Sequence, residues 1–266
     1  MKLTRNQSAA NSPAKRSISY SNKFRYIALP ASILLALAVW QIAAWLVGSK
    51  LLLASPVDVI KRMFELVTGG EGFFATVGYT FARIALGFFL GLFAGITLAV
   101  LAGRFRVVEV LLYPYMITVK SIPVASFVIL ALIWLTSAQL ASFVSFLMVL
   151  PVVYTNTLSG IKAVDAKLLE MAFVFKVPLG RRIKYVWIPG IKDYLLSACR
   201  ISLGLAWKSG VAAELIGYPS GSVGERLYYS KVYFDTVDLF AWTAFIVLLS
   251  FAFEKIFMFA ARRLLK

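Results

Sequence analysis

The chain has 266 residues, of which 61% are hydrophobic and 15% are charged, whereas ordinary soluble domains are about 45–50% apolar. This composition leaves little polar surface for a soluble protein and indicates an integral membrane protein that has the lipid bilayer as its surroundings. The net charge of +16 would also fit a nucleic-acid partner, but the basic residues are grouped between apolar segments, so we predict that the chain binds no nucleic acid.

Residue types that carry metal or acid–base chemistry are scarce. The chain has no histidine and a single cysteine, Cys199, so it offers no imidazole ligand and no internal disulfide. Neither a G-x-S-x-G nucleophile motif nor a G-x-x-x-x-G-K-[ST] phosphate-binding loop occurs. We therefore predict no catalytic residue, no metal site and no cofactor bound by this chain.

The first half of the chain divides into a polar tail and the start of a membrane domain. Residues 1–26 are rich in Ser, Asn and Lys and are predicted to be a disordered cytoplasmic tail, followed by a transmembrane domain over 27–266. The first span, Ile27 to Val47, is longer than the ~7–15 apolar residues of a signal peptide. After a short amphipathic helix comes a second span from Phe73 to Ala102. Its glycines recur every fourth residue (Gly87, Gly91, Gly95) and predict close helix packing.

The third predicted span runs to about Leu135 and contains Pro114 and Pro123. Prolines in membrane helices leave backbone groups unpaired, so this pattern fits either a broken helix beside a translocation path or a plain packing kink. Three more spans are predicted at 141–155, 194–216 and 239–260. The fold class is therefore an all-α polytopic membrane protein with about six transmembrane helices.

Basic residues are concentrated in three regions: before the first span, in the loop from Lys162 to Asp193, and in the tail after Ala261. The loops over 48–72 and 217–238 are near neutral. This alternation follows the positive-inside rule and predicts that both termini and the central loop are cytoplasmic in a multi-pass protein of the cell membrane.

The loop over 156–192 has the pattern of a helix–turn–helix. Asp165 can cap a first helix, whose apolar stripe is formed by Leu168, Leu169, Ala172 and Phe175. Val177-Pro178 ends that helix. Pro178 can begin a second helix that ends at Pro189-Gly190. Ile183 lies on the apolar face of this second helix, Arg181 belongs to the basic residues around that face, and Gly180 is in its first turn. A docking platform for another protein and a basic helix pair resting on lipid headgroups both fit these residues.

Several charged residues fall within apolar segments, namely Arg83, Arg200, Lys208 and Glu214. A charge in the bilayer costs at least about 2.5–3.5 kcal/mol on insertion scales, so each needs a partner or water. Arg200 and Lys208 are two helical turns apart and would line a path for an anionic solute. The alternative is structural pairing, for example of Lys208 with Glu214. Together with Pro123 and Arg83, these residues are the candidates for a translocation path.

Two motifs of the loop resemble the cytoplasmic "EAA" loop of permease subunits of ATP-binding-cassette (ABC) importers. They are Glu170-Met171-Ala172 and, after the expected gap, Val186-Trp187-Ile188-Pro189. Segments elsewhere are similar to the nitrate/sulfonate/taurine group of these permeases: Arg83…Gly87-Phe88, Ile122-Pro123, Cys199 to Trp207 and Ala213 to Gly217. One departure is Lys176, which occupies the loop's glycine position. We expect Val177-Pro178 to make the turn differently, since a lysine at positive φ is strained by ~1 kcal/mol or more.

The resemblance implies a type I (MetI-like) importer permease that forms the path for a small solute. That solute is anionic if Arg200 and Lys208 line the path. It implies ABC ATPase subunits that bind the ATP and dock on the loop, with Glu170 orienting it. It also implies an extracellular or periplasmic substrate-binding protein, and a second permease copy, with a homodimer favoured. The rival classes are a membrane-embedded enzyme and a channel or scaffold protein with an amphipathic loop on the membrane surface.

Overall fold

The computed structural model describes residues 22–70 and 72–265, with the backbone alone over 22–29, and that part of the chain is helical without strands. The all-α prediction is confirmed. The first six helices are α1 (Asn22–Val47), α2 (Pro56–Thr68), α3 (Phe73–Arg104), α4 (Arg106–Ser121), α5 (Val124–Ala131) and α6 (Ser137–Lys162). The remaining elements are α7 (Ala166–Val174), α8 (Leu179–Arg182), a π-helical turn (Ile183–Trp187), α9 (Ile188–Gly217), α10 (Val223–Val232) and α11 (Thr236–Leu264).

Helix α1 begins at Asn22, five positions before the predicted start at Ile27. No glycine or proline lies between Asn22 and Ile27, so nothing in that stretch interrupts helical hydrogen bonding. The predicted tail therefore overlaps the helix over its last residues, and the rest of it, 1–21, lies outside the described residues.

The glycine spacing of α3 serves close packing against α6, as predicted. A Cβ added at Gly87 would lie 2.2 Å from the carbonyl oxygen of Ser142. At Gly91 it would lie 2.8 Å from the Cβ of Val149, and at Gly95 the same distance from the Cβ of Val153. The absence of side chains at these three positions lets the two backbones approach along several turns.

Helix α9 packs on the same core. The hydroxyl of Ser145 on α6 donates to the carbonyl oxygen of Ala206 on α9 at 3.0 Å. Ile84, Phe88, Leu203 and Trp207 are buried together around this contact. Helices α3, α6 and α9 thus form the centre of the molecule, with α11 along one side of it.

The near-neutral loops over 48–72 and 217–238, which the positive-inside rule predicts on the outer side of the membrane, lie at the same end of the molecule. Val59 of α2, Val223 of α10 and Trp242 of α11 belong to one buried cluster with Phe73 at the start of α3. Arg62 of α2 also donates from Nε to Oδ1 of Asp238 on α11 at 2.8 Å. We call this end the α2–α10 end.

Length and apolarity qualify four described helices as membrane spans: α1, α3, α6 and α11. The pair α4 and α5 counts as a fifth if taken as one broken span, since the two helices are bent by 103° where Pro123 begins α5. Pro114 lies inside α4 without breaking it. Helix α9 has 30 residues, but Arg200, Lys208 and Glu214 lower its apolarity. The predicted count of six is therefore not confirmed.

Candidate functional site

The loop between α6 and α9 begins as predicted. Oδ1 of Asp165 accepts a hydrogen bond from the backbone N–H of Lys167 at 2.9 Å, which caps α7. On the core side of α7, Ala172 is buried and Leu169 is half-buried. The predicted cap is confirmed, but only Leu169 and Ala172 of the predicted apolar stripe face the core, since Leu168 and Phe175 are exposed.

Lys176 ends α7 in the left-handed conformation, with φ of 50°. Its N–H bonds the carbonyl of Phe173 at 3.0 Å, and the N–H of Val177 bonds that of Ala172 at 2.9 Å. This pair of bonds is the Schellman motif, whose left-handed residue is usually glycine. The expectation that Val177-Pro178 would make the turn differently was wrong, because the helix end needs its carbonyls satisfied whichever residue occupies the position.

The second helix does not end at Pro189-Gly190, which corrects the prediction. Pro178 is the N-cap of α8, which contains Gly180 and Arg181, and the chain continues through the π-helical turn into α9. The N–H of Ile188 bonds the carbonyl of Ile183, five residues earlier. The wider turn accommodates a proline that cannot donate to the ordinary helical ladder, so Pro189 sits in the first turn of α9.

The loop exposes a mixed apolar and charged surface. Ala172 is buried, whereas Phe175 at the end of the predicted apolar stripe is 74% exposed. Glu170 and Arg181 are exposed, and within the described chain Glu170 makes no hydrogen bond or ion pair. We define the loop surface as the exposed side chains of Leu168, Glu170, Met171, Phe173, Val174, Phe175, Leu179, Arg181, Ile183 and Tyr185. A patch that combines large apolar and charged groups is typical of a protein-docking surface.

The base of the loop is held to the helices beside it. Nζ of Lys162 at the end of α6 forms an ion pair with the carboxylate of Glu109 on α4. A Cβ at Gly190 would lie 2.9 Å from Cγ2 of Val164, so α9 and the start of the loop approach closely. These contacts position the loop against the helix core.

The candidate path residues separate onto two sides of α9. Arg200 and Lys208 are exposed, and neither has an ion pair or hydrogen bond among residues 22–70 and 72–265. Between them, a Cβ added at Gly204 would meet nothing within 4 Å. The α9 face defined by Arg200, Gly204 and Lys208 is therefore open. Pro123 is exposed at the break between α4 and α5.

Glu214 and Arg83 lie on the opposite, packed side. Glu214 is fully buried, and its Oε2 accepts from the hydroxyl of Thr80 at 2.7 Å and from the N–H of Gly224 at 3.4 Å. The guanidinium of half-buried Arg83 lies 3.8 Å from the ring centroid of Tyr79. The suggested Lys208–Glu214 ion pair is absent from the described structure. Thr80 was not predicted, because an uncharged threonine in an apolar helix gives no sequence signal.

A polar pocket of about 370 Å³ opens at the α2–α10 end. Both carboxylate oxygens of Asp238 are engaged there: Oδ1 with Arg62, and Oδ2 with the hydroxyl of Ser230 at 2.9 Å and the indole N–H of Trp242 at 3.1 Å. The pocket is lined by Arg226, Tyr229, Ser230, Tyr233, Asp235 and Asp238. It lies at the end of the molecule remote from the loop surface.

Comparison with known proteins identifies relatives over most of the chain. The profile of the family described as "Binding-protein-dependent transport system inner membrane component" matches residues 87–266. The chain is 32% identical over 241 residues to the putative aliphatic sulfonates transport permease protein SsuC of Bacillus subtilis, covering 90% of this chain and 85% of that one. It is 27% identical to the nitrate import permease protein NrtB of Synechocystis (82% and 81% covered). It is 26% identical to the taurine transport system permease protein TauC of Escherichia coli (81% and 80%).

Proposed function

Since the chain belongs to the family of binding-protein-dependent transport inner membrane components and is a permease subunit of an ABC importer, we propose that separate ATPase subunits drive it by docking on the loop surface. The observation that carries the proposal is the loop itself. It is anchored to α4 and α9, yet it leaves Phe175 and Glu170 uncovered. A surface of this kind suits a folded partner better than a lipid headgroup layer, because an unpaired carboxylate gains nothing from anionic lipids.

The membrane-surface role remains the second candidate. Arg181 is exposed beside Leu179, which is 72% exposed, and basic residues next to apolar ones are what an interfacial helix presents to lipid. Against it, α8 has 4 residues and is followed without interruption by the π-helical turn and α9, which makes it the first turn of a longer helix and not a separate interfacial one.

The proposed mechanism is an equilibrium between two arrangements of the subunit. ATP binding on the partner subunits favours one arrangement and hydrolysis releases it, so the permease alternates between facing inward and outward. The loop transfers the ATPase movement, and Glu170 orients the loop in the groove of its partner. We propose that the loop and both termini are cytoplasmic and that the α2–α10 end is external.

The proposed path runs along the open face of α9, between two copies of this chain. Arg200 and Lys208 lack partners in the described structure, and a lining of two unpaired cations suits an anionic solute. Relatives named for sulfonate, nitrate and taurine transport agree with that charge. An extracellular binding protein would deliver the solute at the α2–α10 end, and a homodimer would place two such faces opposite each other.

Co-purification from the native host tests the docking. The tagged wild-type chain is expected to bring down an ATPase subunit in equimolar amount, and Glu170→Lys is expected to lose at least nine-tenths of it, since the substitution reverses the charge at the centre of the loop surface. Glu65→Lys is the control for the charge change, because it makes the same change on an exposed residue of α2, where it also removes an ion pair with Arg62 at 3.4 Å. If neither wild type nor control retains an ATPase, the membrane-surface role is the better account.

A further inference from the structure

A single buried carboxylate joins three helices near the end of α9. Oε2 of Glu214 accepts from the hydroxyl of Thr80 on α3, at 2.7 Å, and from the N–H of Gly224 on α10, at 3.4 Å. The oxygen of Thr80 in turn accepts from the N–H of Val223 at 2.9 Å. The first two N–H groups of α10, which have no partner within their own helix, are therefore bonded to side chains of α9 and α3.

The backbones of α9 and α10 are in direct contact at this point. A Cβ added at Gly224 would lie 2.3 Å from the Cβ of Glu214 and 2.5 Å from its carbonyl carbon. No other residue type fits there without moving α10. The position of α10 is thus set by α9 both through hydrogen bonds and through steric contact.

The carboxylate is more polar than packing alone requires. Oε1 of Glu214 is buried without a hydrogen-bond partner in the described structure, and so is Nη1 of Arg83, whose charge acts on this carboxylate. An apolar side chain of similar size would fill the same volume without leaving a buried polar atom unsatisfied. A buried carboxyl group retained at such a cost points to a role in movement or specificity.

The network also lies at the far end of a continuous helical rod. The elements α8, the π-helical turn and α9 have 4, 5 and 30 residues and follow one another without interruption. At ~1.5 Å of rise per residue the rod is roughly 55 Å long, which exceeds the ~30 Å hydrocarbon core of a bilayer. One of its ends is in the loop surface and the other is at Glu214.

We propose that Thr80 and Glu214 are positioning residues that fasten α10 to this rod, so that a displacement of the loop at one membrane face is delivered to α10 at the other. The proposal rests on the proposed docking of ATPase subunits at the loop. It specifies the connection by which the ATP state reaches the face where a solute would be delivered.

Site-specific fluorescence in the assembled importer tests the connection. The complex of the permease with its co-purified ATPase is labelled at one introduced cysteine, in a Cys199→Ala background that removes the natural thiol. Ala166→Cys, at the start of α7 and outside the loop surface, reports on the loop and Lys231→Cys reports on α10, and both positions are exposed. The emission of each label is measured with ATP and vanadate and is compared with its emission in the absence of nucleotide.

Both labels are expected to change their emission in an otherwise unchanged chain. In Thr80→Val, which keeps the shape but removes the hydroxyl, the Ala166→Cys label is expected to respond as before while the Lys231→Cys response falls at least fivefold. Thr80→Ser keeps the hydroxyl and should restore that response. Thr97→Val is the matched control on α3, because Thr97 bonds only the carbonyl of Phe93 in its own helix.

Each outcome separates the two proposals. An α10 label that responds fully in Thr80→Val overturns the connection while leaving the docking intact. A loop label that is silent in the unsubstituted chain overturns the docking. If Thr80→Val is not monodisperse, Glu214→Met decides, since it keeps a similar length but removes both acceptor oxygens, including the one that holds Thr80 and Gly224; a full α10 response in Glu214→Met also overturns the connection.

Discussion

At the scale of the residue, the direction of a side chain decides its role more than its type does. Arg200, Lys208 and Glu214 are all charged residues of α9, and the sequence puts them in one group of candidates. The structure exposes the two cations and buries the carboxylate completely. A carboxylate inside the core must be bonded there, and Thr80 and Gly224 supply the donors.

Lys176 illustrates a local rule that sequence predicted only in part. Its occupation of a glycine position is visible in the sequence, and so is the strain that a positive φ would bring. The expectation that the chain avoids that strain failed, because two backbone hydrogen bonds at the end of α7 require the left-handed residue. The energy of the helix end outweighs the cost of one strained lysine.

We expect Lys176→Gly to stabilise the end of α7 by about 1 kcal/mol, because glycine adopts positive φ without a Cβ clash. Hydrogen exchange of the Lys176–Val177 amides in detergent is expected to slow about fivefold, which corresponds to that energy at room temperature. Lys184→Gly is the control, since Lys184 lies in helical backbone, where glycine is unfavourable by up to about 1 kcal/mol. Slower exchange in both variants, or in neither, would contradict the strain argument.

At the scale of the element, the glycine spacing predicted correctly where two helices pack. The position of a proline did not predict correctly where a helix ends. The four-residue repeat of Gly87, Gly91 and Gly95 predicted a close helix contact, and α6 provides it. Pro189-Gly190 was expected to end a helix, and the helix continues through a π-helical turn. The turn supplies the extra residue that a proline within a helix needs, and no pattern in the sequence indicates it.

The seam between α3 and α6 gives a stability prediction. Gly91→Ala is expected to lower the stability of the protein by about 1–3 kcal/mol, because its Cβ would lie 2.8 Å from that of Val149 and 2.9 Å from a backbone oxygen. The measurement is the midpoint of thermal aggregation in detergent, followed by size-exclusion chromatography of a fluorescent fusion.

Gly78→Ala is the matched control for that variant, since it lies on the same helix and its Cβ would meet nothing within 4 Å. It is expected to leave the midpoint unchanged or to raise it, because alanine favours helix over glycine by about 1 kcal/mol. Equal losses in the two variants would show that helix propensity, and not the contact with α6, governs the effect.

At the scale of the whole molecule, the parity of membrane crossings decides which sides its ends are on. Four of the described helices are apolar enough to cross the membrane, and α4 with α5 counts as a fifth if the pair is one broken span. Helix α9 is long enough to cross but is more polar. If α9 crosses and α4–α5 is a broken span, both termini are on one side. The other arrangement, in which α4–α5 re-enters the same face and the termini are on opposite sides, would make α3 and α6 antiparallel, whereas the contacts of Gly87, Gly91 and Gly95 make these helices parallel.

We expect the first arrangement, because the basic loop between α6 and α9 and the basic residues at both ends then share the cytoplasm. In a bacterial host, a green fluorescent protein fused after Lys266 should therefore fluoresce, and an alkaline phosphatase fused there should be inactive. The same two reporters fused after Gly70, between α2 and α3, serve as the control. There we expect an active phosphatase and a green fluorescent protein that does not fluoresce. An active phosphatase at the C-terminus would contradict the even number of crossings and the cytoplasmic location of that end.

Local patterns along the chain were enough to establish the class of the protein: its apolar spans, its basic loop, the capped helix at Asp165 and the glycine face of α3. These are local properties, because hydrophobic periodicity, charge and capping depend on residues a few positions apart. Tertiary structure alone decided that Glu214 faces Thr80 and Gly224 and that α8 continues into α9. It also decided that the break at Pro123 bends the chain by 103°. Such features depend on which face of a helix meets which neighbour, and residues as distant in sequence as Thr80 and Glu214 have no local pattern that records their meeting.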